Sequence, residues 1–312
     1  MNDGLRERAT VSRRAALITG LAAASGTMGC ESPGAVAEPP HSRLAGGGTR
    51  MPTVYMPHGG GPWPYVELGF DKAELDSLSH YLKTVAADPP ASPKALLVVS
   101  AHWEESVVTV MTAEKPPMLH DYYGFPEDSY KVQWPAPGSP IVAARVRELL
   151  SAAGVETKED SQRGFDHGTF VPLSITYPNA DVPTLQLSLK KGLDPAEHLS
   201  IGRALAPLRD EGVFIIGSGM SFHNMRGFRD PSLRTVAETF DRWLQDTAGQ
   251  AQPQREKNLI EWASAPAARG AHPREEHLLP LMVVAGAAGA DAGTTTWRGS
   301  VGGMDVSGYR FG

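Results

Sequence analysis

His58, His102 and His223 each stand just past a short apolar run, the runs being Thr53 to Pro57, Ala95 to Ser100 and Val213 to Gly217. Imidazole suits Fe(II), Zn and Cu, and a chain with a single cysteine has no thiolate set to offer. Metal held by histidine and carboxylate is therefore the chemistry this spacing suggests. Gly59-Gly60-Gly61 after His58, and Gly219 before His223, let the backbone come close to a ligand. His167 lies in Gly164-Phe165-Asp166-His167-Gly168, read as a loop, and is a candidate general acid or base because imidazole titrates near neutrality. Asp166 is the neighbouring carboxylate, an orienting partner only if the two adjacent side chains face one another. His277 follows Glu275 and Glu276 at an expected helix start, where either carboxylate can instead cap the helix. Tyr122, Tyr123 and Trp103 are read either as the sides of a slot for a planar ring or as ordinary core aromatics. His120 is a further pocket candidate, and His41, His80, His198 and His272 are expected at the surface.

The elements that must position these residues alternate between strand and helix, which predicts an α/β fold with a central sheet between two helical layers. The run Ala95-Leu96-Leu97-Val98-Val99-Ser100 reads as a strand covered on both faces. Further strands are expected at Val107 to Thr112, at Thr184 to Leu189 and, as a closing pair, between Thr294 and Tyr309. A helix begins at Ser139-Pro140, with an N-cap and a first-turn proline, and stops at Gly154. Others are expected at Pro195 to Arg209, at 233 to 247, at 254 to 264 and from about Arg274 to Ala287. In open sheets of this kind, the carboxyl ends of the strands converge on one crevice, and ligands bind there.

The chain has 312 residues and a formal charge of −6, with no Lys/Arg cluster beyond its first fourteen residues, so nucleic acid is an unexpected partner. Those first residues carry Arg6, Arg8, Arg13 and Arg14 ahead of an uncharged run from Ala15 to Cys30. Residues 1–30 have the shape of a signal peptide, too short for a spanning helix, and Ser12-Arg13-Arg14 resembles a twin-arginine export signal. Cys30 is either the lipidated residue of a lipoprotein, which would anchor the protein to a membrane, or an unremarkable cysteine of the leader. Removing the leader takes away the four arginines, Asp3 and Glu7 and leaves 25 basic and 33 acidic residues, a formal charge of −8. Residues 31–50, rich in Pro, Gly, Ala and Ser, read as a flexible tether to a single catalytic domain at 51–312.

Ser100-Ala101-His102-Trp103, Gly164-Phe165-Asp166-His167-Gly168, His223-Asn224 and Glu276-His277-Leu278-Leu279-Pro280 follow His58-Gly59 in that order. Together they resemble the DOPA-dioxygenase type of class III extradiol ring-cleaving dioxygenases. His120-Asp121-Tyr122-Tyr123-Gly124-Phe125-Pro126 and Trp134-Pro135-Ala136-Pro137-Gly138-Ser139-Pro140 add to the match, which spans about residues 52 to 309. The resemblance implies a single-domain α/β fold with a mononuclear non-haem metal, typically Fe(II) with zinc sometimes in its place, and a catechol-type substrate cleaved with O₂. It implies His58, His102, His223 and His277 at the metal and His167 in the acid/base machinery; beside them His120 and Tyr122 are the candidate substrate-binding residues. Protocatechuate-type relatives use two histidines and a carboxylate, whereas here His277 stands beside Glu276. His223 is then either a fourth ligand or a pocket histidine facing oxygen. A zinc-dependent hydrolase and an exported metal-binding lipoprotein without turnover share the same histidines and stay open at this point.

Overall fold

The apolar runs form the centre of one eight-stranded mixed sheet. The computed structural model describes residues 49–228 and 230–312; the expected leader and all but the last two residues of the tether, with His41, lie outside them. The strands are β1 (Thr53–Pro57), β2 (Ala95–Glu105), β3 (Val108–Met111), β4 (Thr157–Asp160), β5 (Thr184–Lys190), β6 (Val213–Gly219), β7 (Gly293–Val301) and β8 (Met304–Phe311). Their order is β4-β3-β5-β2-β6-β1-β8-β7. The four central strands β5, β2, β6 and β1 run parallel, and β8 returns antiparallel beside β1. Every residue of β1 and β6 is buried, as their mainly apolar sequences require when helices lie on both faces, and the polar Thr53 and Ser218 hydrogen-bond within the core.

The helices are α1 (Lys72–Val85), α2 (Pro140–Ala152), α3 (His167–Thr176), α4 (Pro195–Leu205), α5 (Pro207–Asp210), α6 (Arg234–Ala248), α7 (Gln252–Ile260), α8 (Ala268–Ala271) and α9 (Leu279–Ala288). Successive strand residues face opposite sides, so the β8 pair Ser307 and Gly308 locates two layers. Ser307 bonds Asp241 of α6, while Gly308 sits against the Tyr81 hydroxyl of α1. α9, apolar all round and fully buried, lies over β6 and β1 and against α4. Two buried arginines close its far end, Arg209 on the carbonyls of Ala287 and Ala288, and Arg255 on that of Gly289.

Four expectations are corrected. β2 does not stop at Ser100; it continues to Glu105 through an irregularity in its pairing with β5 between Val99 and Glu104, so His102 lies inside the strand. The expected helix over Pro195 to Arg209 divides into α4 and α5 before Pro207, whose ring cannot continue the preceding turn. The last long helix starts at Leu279 rather than near Arg274, with Pro280 in its first turn, and leaves His277 in the preceding turn. His167 is not in a loop but opens α3, which follows Asp166 and contains Gly168 and Pro172.

Candidate metal centre

Three parallel strands deliver the site because β6 lies between β1 and β2. β1 runs directly into His58, β2 carries His102, and the turn after β6 carries His223. His277 reaches them by close backbone approach: a Cβ on Gly219 would lie 2.2 Å from the His277 carbonyl oxygen, so only glycine lets the segment settle on β6. That carbonyl accepts hydrogen bonds from the Tyr55 hydroxyl at 2.7 Å and from the Met220 amide at 3.2 Å. Arg274 holds Glu104 through two contacts of 2.6 Å, tying the end of β2 to the segment that ends in His277.

All five site histidines come together. His58 Nε2 is 3.2 Å from His102 Nε2, and the His277 ring centroid lies 5.2 Å from that of His58 and 4.9 Å from that of His102. His167 is 3.9 Å from His102 by ring centroid, and His223 stacks on His277 at 3.3 Å. His58, His102 and His167 bring candidate ligand atoms within 4.8 Å of one another, as do His223, Glu276 and His277.

The hydrogen bonds around these rings set which nitrogen carries the proton. Ser218 has one hydroxyl proton and donates it to the Gly168 carbonyl, so His58 Nδ1, 3.1 Å away, must donate to Ser218 Oγ. Nε2 of His58 is then an unprotonated lone pair facing the cavity. Glu276 Oε1 accepts from His277 Nδ1 at 2.9 Å and pairs with His223 Nδ1 at 3.2 Å. Asp121 Oδ1 accepts from His167 Nδ1 at 2.8 Å and from the His167 amide at 2.9 Å, while Oδ2 stands 3.6 Å from His102 Nδ1. Each carboxylate thus bridges two histidines.

Among the described residues His277 Nε2 is buried without a hydrogen-bond partner, and the bare Nε2 of His58 lies 3.2 Å from His102 Nε2. A divalent cation among these atoms gives His277 Nε2 the partner it lacks, and a carboxylate on the remote nitrogen is the usual support of a ligating histidine. The residues fit a metal. Burial lowers the pKa of His58 and His277 well below 6.5 and that of His102 to about 4, with neighbouring imidazoles adding to the effect. Neutral imidazoles are the form that binds a cation.

A cavity of about 610 Å³ opens over the histidines. Tyr122 lines it with its ring, while its hydroxyl donates to the Ser129 carbonyl at 2.7 Å and is pushed up to about 12, mainly by burial. Tyr123, 90% exposed, stands at the edge. Trp103 is not on the wall; it is buried, donates to Glu105 and lies under Arg163. His120 is likewise off the wall, its Nε2 3.1 Å from the Val132 carbonyl oxygen and its ring against Tyr122 and Phe170. Asp166 does not orient His167, because its buried carboxylate takes Ser100, Gln186 and Arg163. Asp121 fills that role from a loop 46 residues away in sequence. His198 and His272, expected at the surface, are fully buried: His198 Nε2 accepts from the Lys190 amide, and His272 Nε2 lies 2.8 Å from the Ser221 carbonyl oxygen. His80 is exposed.

The pattern defining the catalytic LigB subunit of aromatic ring-opening dioxygenases matches residues 52–311. This chain belongs to the LigB family. Within it, the sequence is 41% identical over 226 residues to a 4,5-DOPA dioxygenase extradiol of Beta vulgaris, covering 70% of this chain and 83% of the relative. It is 36% identical over 242 residues to the 4,5-DOPA dioxygenase extradiol of Escherichia coli K12, covering 77% and 86%. The dioxygenase tasH of Hapsidospora irregularis is 35% identical over 282 residues, covering 85% and 87%. A crystal structure of an uncharacterized Escherichia coli K12 protein superposes with a TM-score of 0.69 at 30% identity, covering 84% of this chain and all of that one. The LigB assignment makes this chain a metal-dependent extradiol dioxygenase that opens an aromatic ring with O₂, and it decides against the hydrolytic and non-catalytic alternatives.

Proposed function

We propose that His58, His102 and His277 hold the metal, that His223 completes the group beside it, and that His167 moves the protons of a catechol substrate. The observation carrying this reading is the fixed tautomer of His58 and His277, each with Nδ1 committed to a protein acceptor and Nε2 left bare. The metal is Fe(II), with zinc able to take its place. Held by these residues, it would supply Lewis-acid charge for the reaction of a catechol with O₂.

The chain's own residues do the rest. His167 keeps its Nδ1 proton on Asp121, so Nε2 accepts a phenolic proton and later returns it to the oxygenated substrate. Asp121 stabilises the imidazolium formed in between. The ring of Tyr122 confines the catechol from one side. A second arrangement, with His167 as third ligand instead of His277, is favoured by the common reach of His58, His102 and His167. Metal content separates the two: alanine at 277 empties the site in the first, alanine at 167 in the second.

Anaerobically iron-loaded protein is expected to consume O₂ with a catechol and give a yellow ring-opened product. Catechol itself and L-DOPA, the substrate named in several relatives, are the first compounds to test. No oxygen uptake and no product across several catechols, with iron shown to be bound, overturns the reading. We also propose export through Arg13-Arg14, with Cys30 as a lipid anchor. Replacing both arginines with lysine blocks export in that case, and normal export of the double variant refutes it.

A further inference from the structure

The lining of the cavity changes character along its depth. The histidines mark the inner end, where His58, His277 and His167 are 1%, 3% and 7% exposed. The rest of the wall is largely apolar: Met220 and Val301 are buried in it, Leu68, Phe70, Phe125 and Phe228 are half-buried, and Met225 stands at the rim, 71% exposed. Glu67 lies at the exposed edge.

The aromatic part of this wall is built from behind. Phe125 meets the buried Tyr122 edge-on at 5.6 Å. Phe228 meets the buried Phe222 edge-on at 5.7 Å and Phe70 at 6.0 Å. Both Phe70 and Phe228 sit over Gly302, in the turn between β7 and β8 at φ +60°, where a Cβ would come within 2.9 Å of Phe70 and 3.1 Å of Phe228. Apolar surface held in place in this way gains affinity for an apolar ligand without the cost of ordering loose side chains. The volume, about 610 Å³, is one that holds drug-sized ligands. A bare catechol ring bound at the histidines leaves most of it unfilled.

Resting on the ring-opening reading above, we propose that the preferred substrate is a catechol bearing a bulky apolar, aromatic substituent. Phe125, Phe228 and Met225 select for it. The diol faces the histidines and the substituent extends outward between the phenylalanines, where it leaves water along with the apolar surface that it covers.

The test compares 4-benzylcatechol, catechol and L-DOPA in two measurements: calorimetric binding to zinc-loaded protein and kcat/KM for oxygen uptake by iron-loaded protein. 4-Benzylcatechol is expected to bind at least tenfold more tightly than the other two and to show the highest kcat/KM. F228A should cut its advantage over catechol by about tenfold. M225S, at an exposed position that cannot disturb the core, should cut it two- to threefold. Equal or weaker binding of 4-benzylcatechol, or an advantage untouched by both variants, overturns the proposal. If every catechol fails to react but the order of binding holds, the ring-opening reading falls and the selectivity stands.

Discussion

The two carboxylate-bridged histidine pairs face the same cavity but are anchored in different ways. His223 and His277, joined by Glu276, are held mainly through backbone groups: the His223 amide donates to the Ala271 carbonyl, and the His277 carbonyl takes Tyr55 and Met220. His102 and His167, joined by Asp121, depend more on side chains, with Asp121 reaching in from the loop between β3 and α2. Burial raises the Asp121 pKa, but the His167 hydrogen bond and charge outweigh it and the net value falls. Glu276 is lowered in the same way by His223. Of the residues proposed above, the ligand His277 belongs to the backbone-fixed pair, whereas the side-chain-fixed pair joins the ligand His102 to the proton carrier His167.

The sharpest way to break this contrast is to remove one histidine from each pair. H277A is expected to lose bound metal and, with it, more than a thousandfold of activity. H167A should retain stoichiometric metal by elemental analysis while kcat falls by roughly 10²- to 10⁴-fold. Loss of metal from H167A and its retention in H277A would exchange the roles of the two pairs.

The carboxylates should divide likewise, with smaller effects. E276Q is expected to weaken metal binding by roughly 10- to 100-fold in competition with a chelator. D121N should change metal affinity only a few-fold while lowering kcat by about a hundredfold or more, because an amide can present either end to His167 and no longer fixes its tautomer.

Acid should act first on the metal ligands. The folded pKa of His102 is about 4 against an ordinary 6.5, so protons favour the unfolded, metal-free chain as pH falls below about 6.5. Metal retained after dialysis should be constant from about pH 8 to 6 and decline toward 4, and metal-free protein should lose several degrees of Tm over the same interval. Metal loss already complete at pH 6 would mean that the imidazoles are not held neutral. The smallest effect belongs to Y122F, which removes the bond to Ser129 and should cost about 1 kcal/mol of stability with less than a threefold change in kcat.

That His58, His102 and His223 would meet could be read from sequence because the end of an apolar run is a local signal, although β2 itself continues past His102. Asp121 could not, since nothing local joins it to His167 and Asp166 is the nearer carboxylate in sequence. Its one trace was its place in the motif that begins at His120. α3 gives no sequence signal because His167–Thr176 is buried on nearly every side and holds a glycine and a proline, so it shows neither amphipathic period nor high propensity. β4, Thr157-Lys158-Glu159-Asp160, has no apolar residue to announce a strand and is paired at the sheet edge. His198 and His272 looked like surface residues because no motif contains them, and only tertiary packing shows the backbone groups they serve.

The strand order places β6 between β1 and β2, and α9 begins beside β6. With the ligand set proposed above, His58 waits during synthesis for His277, and no fragment that ends before His277 can hold the ion in that way. Metal capture thus reports that the long-range parallel pairing is complete, and it rewards only the chain that has reached it.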